Sequence, residues 1–308
     1  MRLRLALVAM LPLITLAACG TSTTTQETGP TRAVKHSMGV TQVPMTPKRV
    51  IVLDTDKLDS LVSLGVTPVG AAQAEGNQTW PEYLGPALAN VKQVGTLGEP
   101  NLEAITALKP DLILGSKFRQ AAFYDKLNKI APTVFTERVG ITWKENFLLD
   151  AEALGKKEQA QQLLSAYETR AKKEGEKFSS IKVSIVRFRP TEIRIYGPDS
   201  FSGIVLGDAG IPRPEVQLLT GAQDRRFAKL SQENLADADG DAIFYSAFGE
   251  DAAKSQAEVT AGPLWQNLKA VKAGHAYNVD DEIWMTGIGV TAANKILDDL
   301  DKHLTPLT

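Results

Sequence analysis

Lys156-Lys-Glu-Gln-Ala-Gln-Gln-Leu-Leu-Ser-Ala-Tyr-Glu-Thr-Arg-Ala-Lys-Lys-Glu-Gly-Glu-Lys177 is the longest uninterrupted helical signal in this 308-residue chain, and it lies near the middle. Ala160, Leu163, Leu164, Tyr167 and Ala171, with Phe178 just beyond, keep to one face at 3.6-residue spacing. Lys157, Glu158, Gln162, Arg170, Lys173 and Glu176 fill the other face. Such a helix spans roughly 33 Å, enough to run along the outside of two lobes and join them. Taken alone it reads more readily as a surface helix of a single domain, so its flanks decide.

The first half alternates strands and helices. Residues 49–54 form a short β-branched run, 56–64 a helical stretch closed by Gly65, and 67–70 a second strand leading into a polar loop with Trp80. Asn101 stands where a helix cap belongs, Pro110 stops the helix after it, and 111–114 read as a buried strand. A helix over 120–128, a strand over 133–135 and a shorter helix over 143–153, ended by Gly155, follow. The second half repeats the theme. Strands are expected at 181–188, 192–196 and 241–245, helices at 202–208 and 263–268, an extended piece at 277–279 and a closing helix at 286–300. Repeated βα units imply mostly parallel sheets with helices on both faces. The predicted fold is therefore α/β: two Rossmann-like lobes, at 48–142 and 181–308, joined through the helical segment 143–180, with a ligand cleft between them.

A weak internal repeat supports this division. Asn101-Leu-Glu-Ala-Ile-Thr-Ala-Leu-Lys-Pro-Asp-Leu-Ile-Leu114 lies without gaps over Ser231-Gln-Glu-Asn-Leu-Ala-Asp-Ala-Asp-Gly-Asp-Ala-Ile-Phe244. Each copy carries a capping residue, a glutamate two positions on, an apolar residue two further, a Pro or Gly breaker, an aspartate and an apolar strand.

The N-terminus opens with Arg2 and Arg4, an apolar run over 5–16, and Leu16-Ala-Ala-Cys-Gly20, the pattern of a secretory signal peptide over 1–18. That run is too short for a permanent membrane span. The small residues before Cys19 resemble a bacterial lipobox, in which the cysteine becomes the lipidated N-terminus. Cys19 is the one cysteine in the chain, so the fold must stand on its core. Polar low complexity from Thr21 to Pro30 suggests a tether, expected to extend over 19–47. With 43% hydrophobic residues and a formal net charge of −2 in intermixed signs, the remainder reads as globular and soluble, without a nucleic-acid footprint.

A lipobox, a tether, two α/β halves and one long joining helix resemble the substrate-binding lipoproteins of bacterial iron-siderophore ABC importers, the class III periplasmic-binding-protein family. The resemblance covers nearly the whole mature chain. It is carried by Lys48-Arg-Val-Ile-Val-Leu-Asp54, by the block over 101–114, by Ser184-Ile-Val-Arg-Phe188 with Arg194-Ile-Tyr196, and by Gly262-Pro-Leu-Trp265 with Val271-Lys-Ala-Gly274. It implies a monomeric, non-enzymatic protein, lipid-anchored outside the cell membrane. Such a protein captures a ferric siderophore and delivers it to an ABC permease dimer, with lobes that move little on binding. It also implies that Glu103 and Glu233, at matching places in the repeat, dock into arginine pockets of the permease. The alternative reading of these two is carboxylates favoured by the dipole of a first helical turn.

Ligands of open α/β sheets bind beyond the carboxyl ends of the strands. That rule selects Lys117 and Phe118 after one predicted strand, Arg187 and Arg189 at the end of another, and Tyr196, Phe248 and Trp284; Trp143 joins them as an aromatic wall or as core. Cations with flat rings suit a large, partly apolar chelate whose oxygens crowd its iron. Arg187 ranks first, because an arginine closing an apolar run needs an anionic partner, either the ligand or an internal carboxylate. Few cations and several aromatics favour a hydroxamate chelate of low charge, and a catecholate stays open. A haem or cobalamin carrier of the same fold, or an adhesion lipoprotein without a small ligand, are the alternatives. No catalytic set is evident: His36, His275 and His303 stand apart from any nucleophile, and no His or Cys cluster offers a resident metal or cofactor site.

Overall fold

A computed structural model describes residues 29–75 and 79–308. Cys19 and the signal segment lie outside the described residues. The chain begins with a hairpin of β1 (Thr31–His36) and β2 (Gly39–Pro44), paired antiparallel. The first lobe follows as β3 (Val50–Val52), α1 (Thr55–Ser63), β4 (Gly70–Gln73), β5 (Lys92–Thr96), α2 (Leu102–Ala107), β6 (Leu112–Ser116), α3 (Lys117–Gln120), α4 (Tyr124–Ile130) and β7 (Thr133–Thr136). Its five strands are all parallel, in the order β5-β4-β3-β6-β7. Two helices, α5 (Trp143–Leu154) and α6 (Lys157–Gly175), carry the chain to the second lobe. That lobe comprises β8 (Val183–Arg189), β9 (Glu192–Tyr196), α7 (Phe201–Asp208), β10 (Phe227–Leu230), β11 (Ala242–Ala247), α8 (Gly249–Ala261), α9 (Pro263–Gln266), α10 (Lys269–Lys272), β12 (Ala276–Asn278) and α11 (Val290–Leu304). Its sheet, β10-β9-β8-β11-β12, is parallel except for the antiparallel β9.

The decisive helix forms where its periodicity places it. Ala160, Leu164, Tyr167 and Ala171 are buried along α6, and Phe178 continues the stripe in the turn after it. Gly155 takes a left-handed φ of 73° and ends α5, while the Lys156 N–H returns to the Ala151 carbonyl at 2.7 Å; a side chain there would be strained, which is why the linker is two helices. A single core cluster includes residues of both sheets, of α1, α5, α6, α7 and α11. The lobes are therefore packed on each other, not merely strung together. Asp59 on α1 makes the junction specific: its carboxylate accepts the N–H groups of Thr291 and Ala292, at 3.0 and 2.9 Å, in the first turn of α11. The Tyr83 hydroxyl donates to the same carboxylate at 3.1 Å. A Cβ at Gly289 would stand 2.4 Å from that carboxylate, so only glycine lets α11 approach. Within the first lobe, fully buried Lys57 fastens α1 to α5 through Asp56 and Asp150, at 2.9 and 3.3 Å. Burial pushes the Asp150 carboxyl up to about 7 against the pull of Lys57.

The repeat acquires a physical meaning. The Asp111 carboxylate accepts the N–H groups of Lys48 and Arg49, just before β3, at 2.7 and 2.9 Å. Asp241, its counterpart, accepts the N–H of Lys182, just before β8, at 2.9 Å. Each copy thus clamps the start of its lobe's first strand. The copies differ in the helix: Asn101 caps α2 through the Ala104 N–H, whereas Gln232–Ala238 is a kinked 3-10 segment.

Several expected boundaries are corrected. The tether does not extend to residue 47, because the hairpin over 31–44 is docked on β7, whose outer edge would otherwise be unpaired. Ser37 N–H donates to the Phe135 carbonyl, the Phe135 N–H donates to His36 Nδ1 at 3.1 Å, and the Thr41 hydroxyl donates to the Thr133 carbonyl. His36 is consequently a buried hairpin residue and not part of the tether. The second strand begins at Gly70, with 67–69 leading in, and the closing helix begins at Val290 after a π-helical turn, Glu282–Thr286. Strands β5 and β10 were not anticipated. Each buries only one side chain, Val94 or Leu230, so neither shows an apolar alternation.

A cleft of paired charges between the lobes

The carboxyl ends of β6 and β7 open onto a cavity of about 570 Å³ facing the second lobe. On one side it is lined by Lys117, Phe118 and Ala121 and by the run from Glu137 through Val139 to Ile141. On the other side stand Asp199, from the turn after β9, and the loop residues Gln223, Asp224, Arg225 and Arg226 before β10. Phe118 offers its ring to solvent, 62% exposed.

The cavity's charges come as pairs. Lys117 Nζ lies 3.1 Å from Glu137, Arg225 3.4 Å from Asp199, and Arg226 2.7 Å from Asp224. The Arg226 hydrogen bonds hold the Asp224 carboxyl down at about 2. Arg138 is the exception. It is exposed, and among the described residues its guanidinium has no ion-pair partner, although its carbonyl accepts from Asn146 Nδ2 at 2.7 Å. Four cations against three carboxylates leave the lining with one excess positive charge, at Arg138.

The floor beneath this lining is rigid. Asp54, fully buried at the end of β3, pairs with Arg119 Nε at 3.0 Å, accepts the Ser116 hydroxyl at 2.8 Å and caps α1 through the Thr55 N–H. Burial pushes the Asp54 carboxyl up, opposed by the Arg119 charge. Gln120 ties three strand ends together by donating to the Leu53 and Leu97 carbonyls and accepting the Ser116 N–H.

Arg187 is not in this lining. It is held by Asp281, with Nε and Nη2 donating at 2.7 and 2.5 Å, and it also reaches the Tyr196 and Thr286 hydroxyls. Of the two partners open to it in the sequence, the structure supplies the internal carboxylate. Arg187 and Arg189 both lie 4.8 Å from the Phe248 ring centre, a cation–π arrangement in which Arg189 makes no ion pair among the described residues. Burial and the neighbouring Arg187 charge lower the Arg189 pKa. Tyr196 is buried, giving its hydroxyl to this cluster and its ring to Phe227 at 5.9 Å.

Two aromatic candidates belong to the core instead of a pocket wall. Trp143 is packed edge-on to Tyr167 and Phe201, at 5.4 and 5.6 Å. Trp284 stacks on Phe244 at 4.7 Å and donates its indole N–H to Asp299 at 2.8 Å. Trp80 alone among the four tryptophans is only half-buried; it lines a small crevice between the lobes with Thr55, Tyr83 and Thr286. Sequence reasoning missed Glu137 and Arg138, although they come just after a predicted strand, Asp199, in the turn after another predicted strand, and Asp224 to Arg226, which precede a strand that was not predicted. Glu103 and Glu233 are both exposed, each in the first turn of its helical segment.

The model of a family described as periplasmic binding protein matches residues 50–283. The Bacillus subtilis protein YfiY, named as a probable siderophore-binding lipoprotein, is 40% identical over 96% of this chain and 96% of its own length. The Fe(3+)-citrate-binding protein YfmC of the same species is 30% identical over 96% of this chain and 95% of its own. Among solved structures, Staphylococcus aureus SirA complexed with staphyloferrin B superposes with a TM-score of 0.78 at 34% identity, covering 89% of this chain and 98% of that one.

Proposed function

We propose, from the premise that this chain belongs to the periplasmic binding protein family, that it captures a ferric siderophore outside the cytoplasmic membrane and delivers it to an ABC permease. The observation that carries the reading is the cleft itself: a cavity at the strand ends of one lobe, closed by charged loops of the other, in a chain alignable almost end to end with a relative named as a probable siderophore-binding lipoprotein. Its charges are largely neutralised among themselves, and one guanidinium, Arg138, is free to meet a negative group. That balance favours a chelate of low net charge, such as a hydroxamate or a mixed hydroxamate–carboxylate, over a triply charged catecholate, whose entry would have to displace internal carboxylates. Phe118, Val139 and Ile141 supply apolar contact for the ligand's backbone. Among the described residues lining the cleft there is no histidine, tyrosine or methionine to serve as an axial ligand, which weighs against a haem carrier.

Delivery would use Glu103 and Glu233, exposed at corresponding places on the two lobes, where carboxylates can steer the protein onto basic pockets of a two-subunit permease. Anchoring would use a lipid on Cys19, as in relatives named lipoproteins; no helix of the described residues is long and apolar enough to cross a membrane. The test is a titration of intrinsic fluorescence, with Trp80 as reporter, against ferric hydroxamates, catecholates, citrate, haem and cobalamin. Saturable quenching by a low-charge ferric chelate is expected. Binding of haem alone, or of none of the panel, would overturn the proposal.

A further inference from the structure

The parallel strands of the first lobe direct their carboxyl ends to the cleft, so their amino ends form the opposite edge of the molecule. Basic residues are lined up along that edge. Lys48 and Arg49 precede β3, Lys92 opens β5, Lys109 stands before β6, and Lys129 lies in the last turn of α4 before β7. All five are exposed, and among the described residues none makes an ion pair. Neighbouring strands are separated by about 4.8 Å, so the row is roughly 20 Å wide. The connections along it hold one carboxylate, Asp111, which accepts the N–H groups of Lys48 and Arg49. The Arg49 guanidinium is fixed in place by donating to the Leu108 and Lys109 carbonyls. At the second lobe's strand starts Lys182 and Lys272 are exposed as well, but two carboxylates stand among the cations: Asp241 pairs with Lys269 at 2.9 Å, and Asp239 accepts the Lys269 N–H.

We propose that this basic edge is a docking surface for an anionic lipid bilayer, and that resting on it turns the empty cleft outward. The chain's own connectivity brings the two together. Thr31 follows Cys19 by twelve positions, so a lipid there can lie at most about 40 Å away. The hairpin returns at Met45, three residues before Lys48, which places the anchored end within about 10 Å of the row. Phosphate headgroups supply the complementary charge, and each Lys or Arg near such a surface strengthens binding about fivefold. Delivery needs the other face, since Glu103 begins α2 at the cleft end of β5. Capture and delivery therefore use opposite orientations.

The processed chain carrying Cys19→Ala, which excludes any contribution from a lipid, is sedimented with phosphatidylcholine vesicles with or without phosphatidylglycerol. Binding should require phosphatidylglycerol and weaken with added salt. The triple variant Lys48→Gln, Lys92→Gln, Lys109→Gln should bind on the order of a hundredfold more weakly while keeping its melting temperature. Orientation is read from fluorophores on Thr67→Cys, at the basic edge, and Gln223→Cys, at the cleft: brominated lipid should quench the first and spare the second. Equal binding to neutral vesicles, full binding by the triple variant, or quenching at position 223 would each overturn the proposal.

Discussion

Removing Asp281 separates a structural Arg187 from a ligand-binding one. The pair is nearly dry, with side-chain exposures of 8% and 12%, so breaking it falls in the range of about 3–5 kcal/mol found for buried pairs. The two single variants are not equivalent. Asp281→Ala strands a guanidinium that cannot shed its charge at any accessible pH, leaving it the Thr286 hydroxyl at 3.1 Å and the Tyr196 hydroxyl at 3.4 Å. Arg187→Ala strands a carboxylate that keeps the Ser246 and Thr286 hydroxyls, at 2.9 and 3.0 Å, and that can take up a proton. The first should therefore cost near the upper end, about 5 kcal/mol, and the second near the lower end, about 3 kcal/mol. Scaled by the melting entropy of domains of comparable size, the first lowers Tm by about 10–15 °C. Replacing both together, Arg187→Met with Asp281→Leu, should recover most of that loss. Thermal and urea unfolding of the four proteins measures these costs, and titration with the best ligand supplies the second axis. An Arg187→Ala protein that melts like the parent yet binds a hundredfold more weakly would refute this reasoning and return Arg187 to the ligand.

Arg138→Ala should weaken ligand binding by about 10- to 100-fold, the worth of a charge-assisted hydrogen bond, with no change in Tm because the side chain is exposed and unpaired; isothermal titration and a melt check both halves. Glu103→Ala combined with Glu233→Ala should leave folding and ligand affinity intact and abolish uptake through the importer, read as iron accumulation in cells; normal uptake would remove the docking role. Burial lowers the His36 pKa, so the folded state binds fewer protons than the unfolded one between its depressed value and about 6.5. Stability from this residue is thus full above pH 6.5 and lost as pH falls through the folded value. Its ring meets Tyr124, Thr41, the Met38 N–H and the β7 backbone, and among the described residues no carboxylate holds a proton there. Protection factors of the hairpin amides, which normalise for intrinsic exchange, should fall at pH 5, and His36→Gln should remove that fall.

Much of the architecture was legible in one dimension because it rests on local periodicity. The stripe Ala160, Leu164, Tyr167, Ala171 specifies α6, the apolar runs at 50–52, 112–116 and 183–189 specify central strands, and the aspartates of the repeat mark where each lobe's first strand starts. Edge elements escaped because their partners carry the information. Lys92–Thr96 becomes a strand only by lying against β4, and the hairpin at 31–44 only by covering β7. The site was half legible for a similar reason. The rule of looking just past strand ends found Lys117 and Phe118 and could have found Arg138, since backbone direction fixes which strand ends face the cleft. Whether a cation there is available to a ligand depends on a carboxylate far away in sequence. Asp281 claims Arg187 across 94 residues, while Arg138 finds no such partner among the described residues. Residue type and order decide where charges can appear; only tertiary packing decides which of them are already neutralised, because electrostatic energy depends on separation in space and on burial.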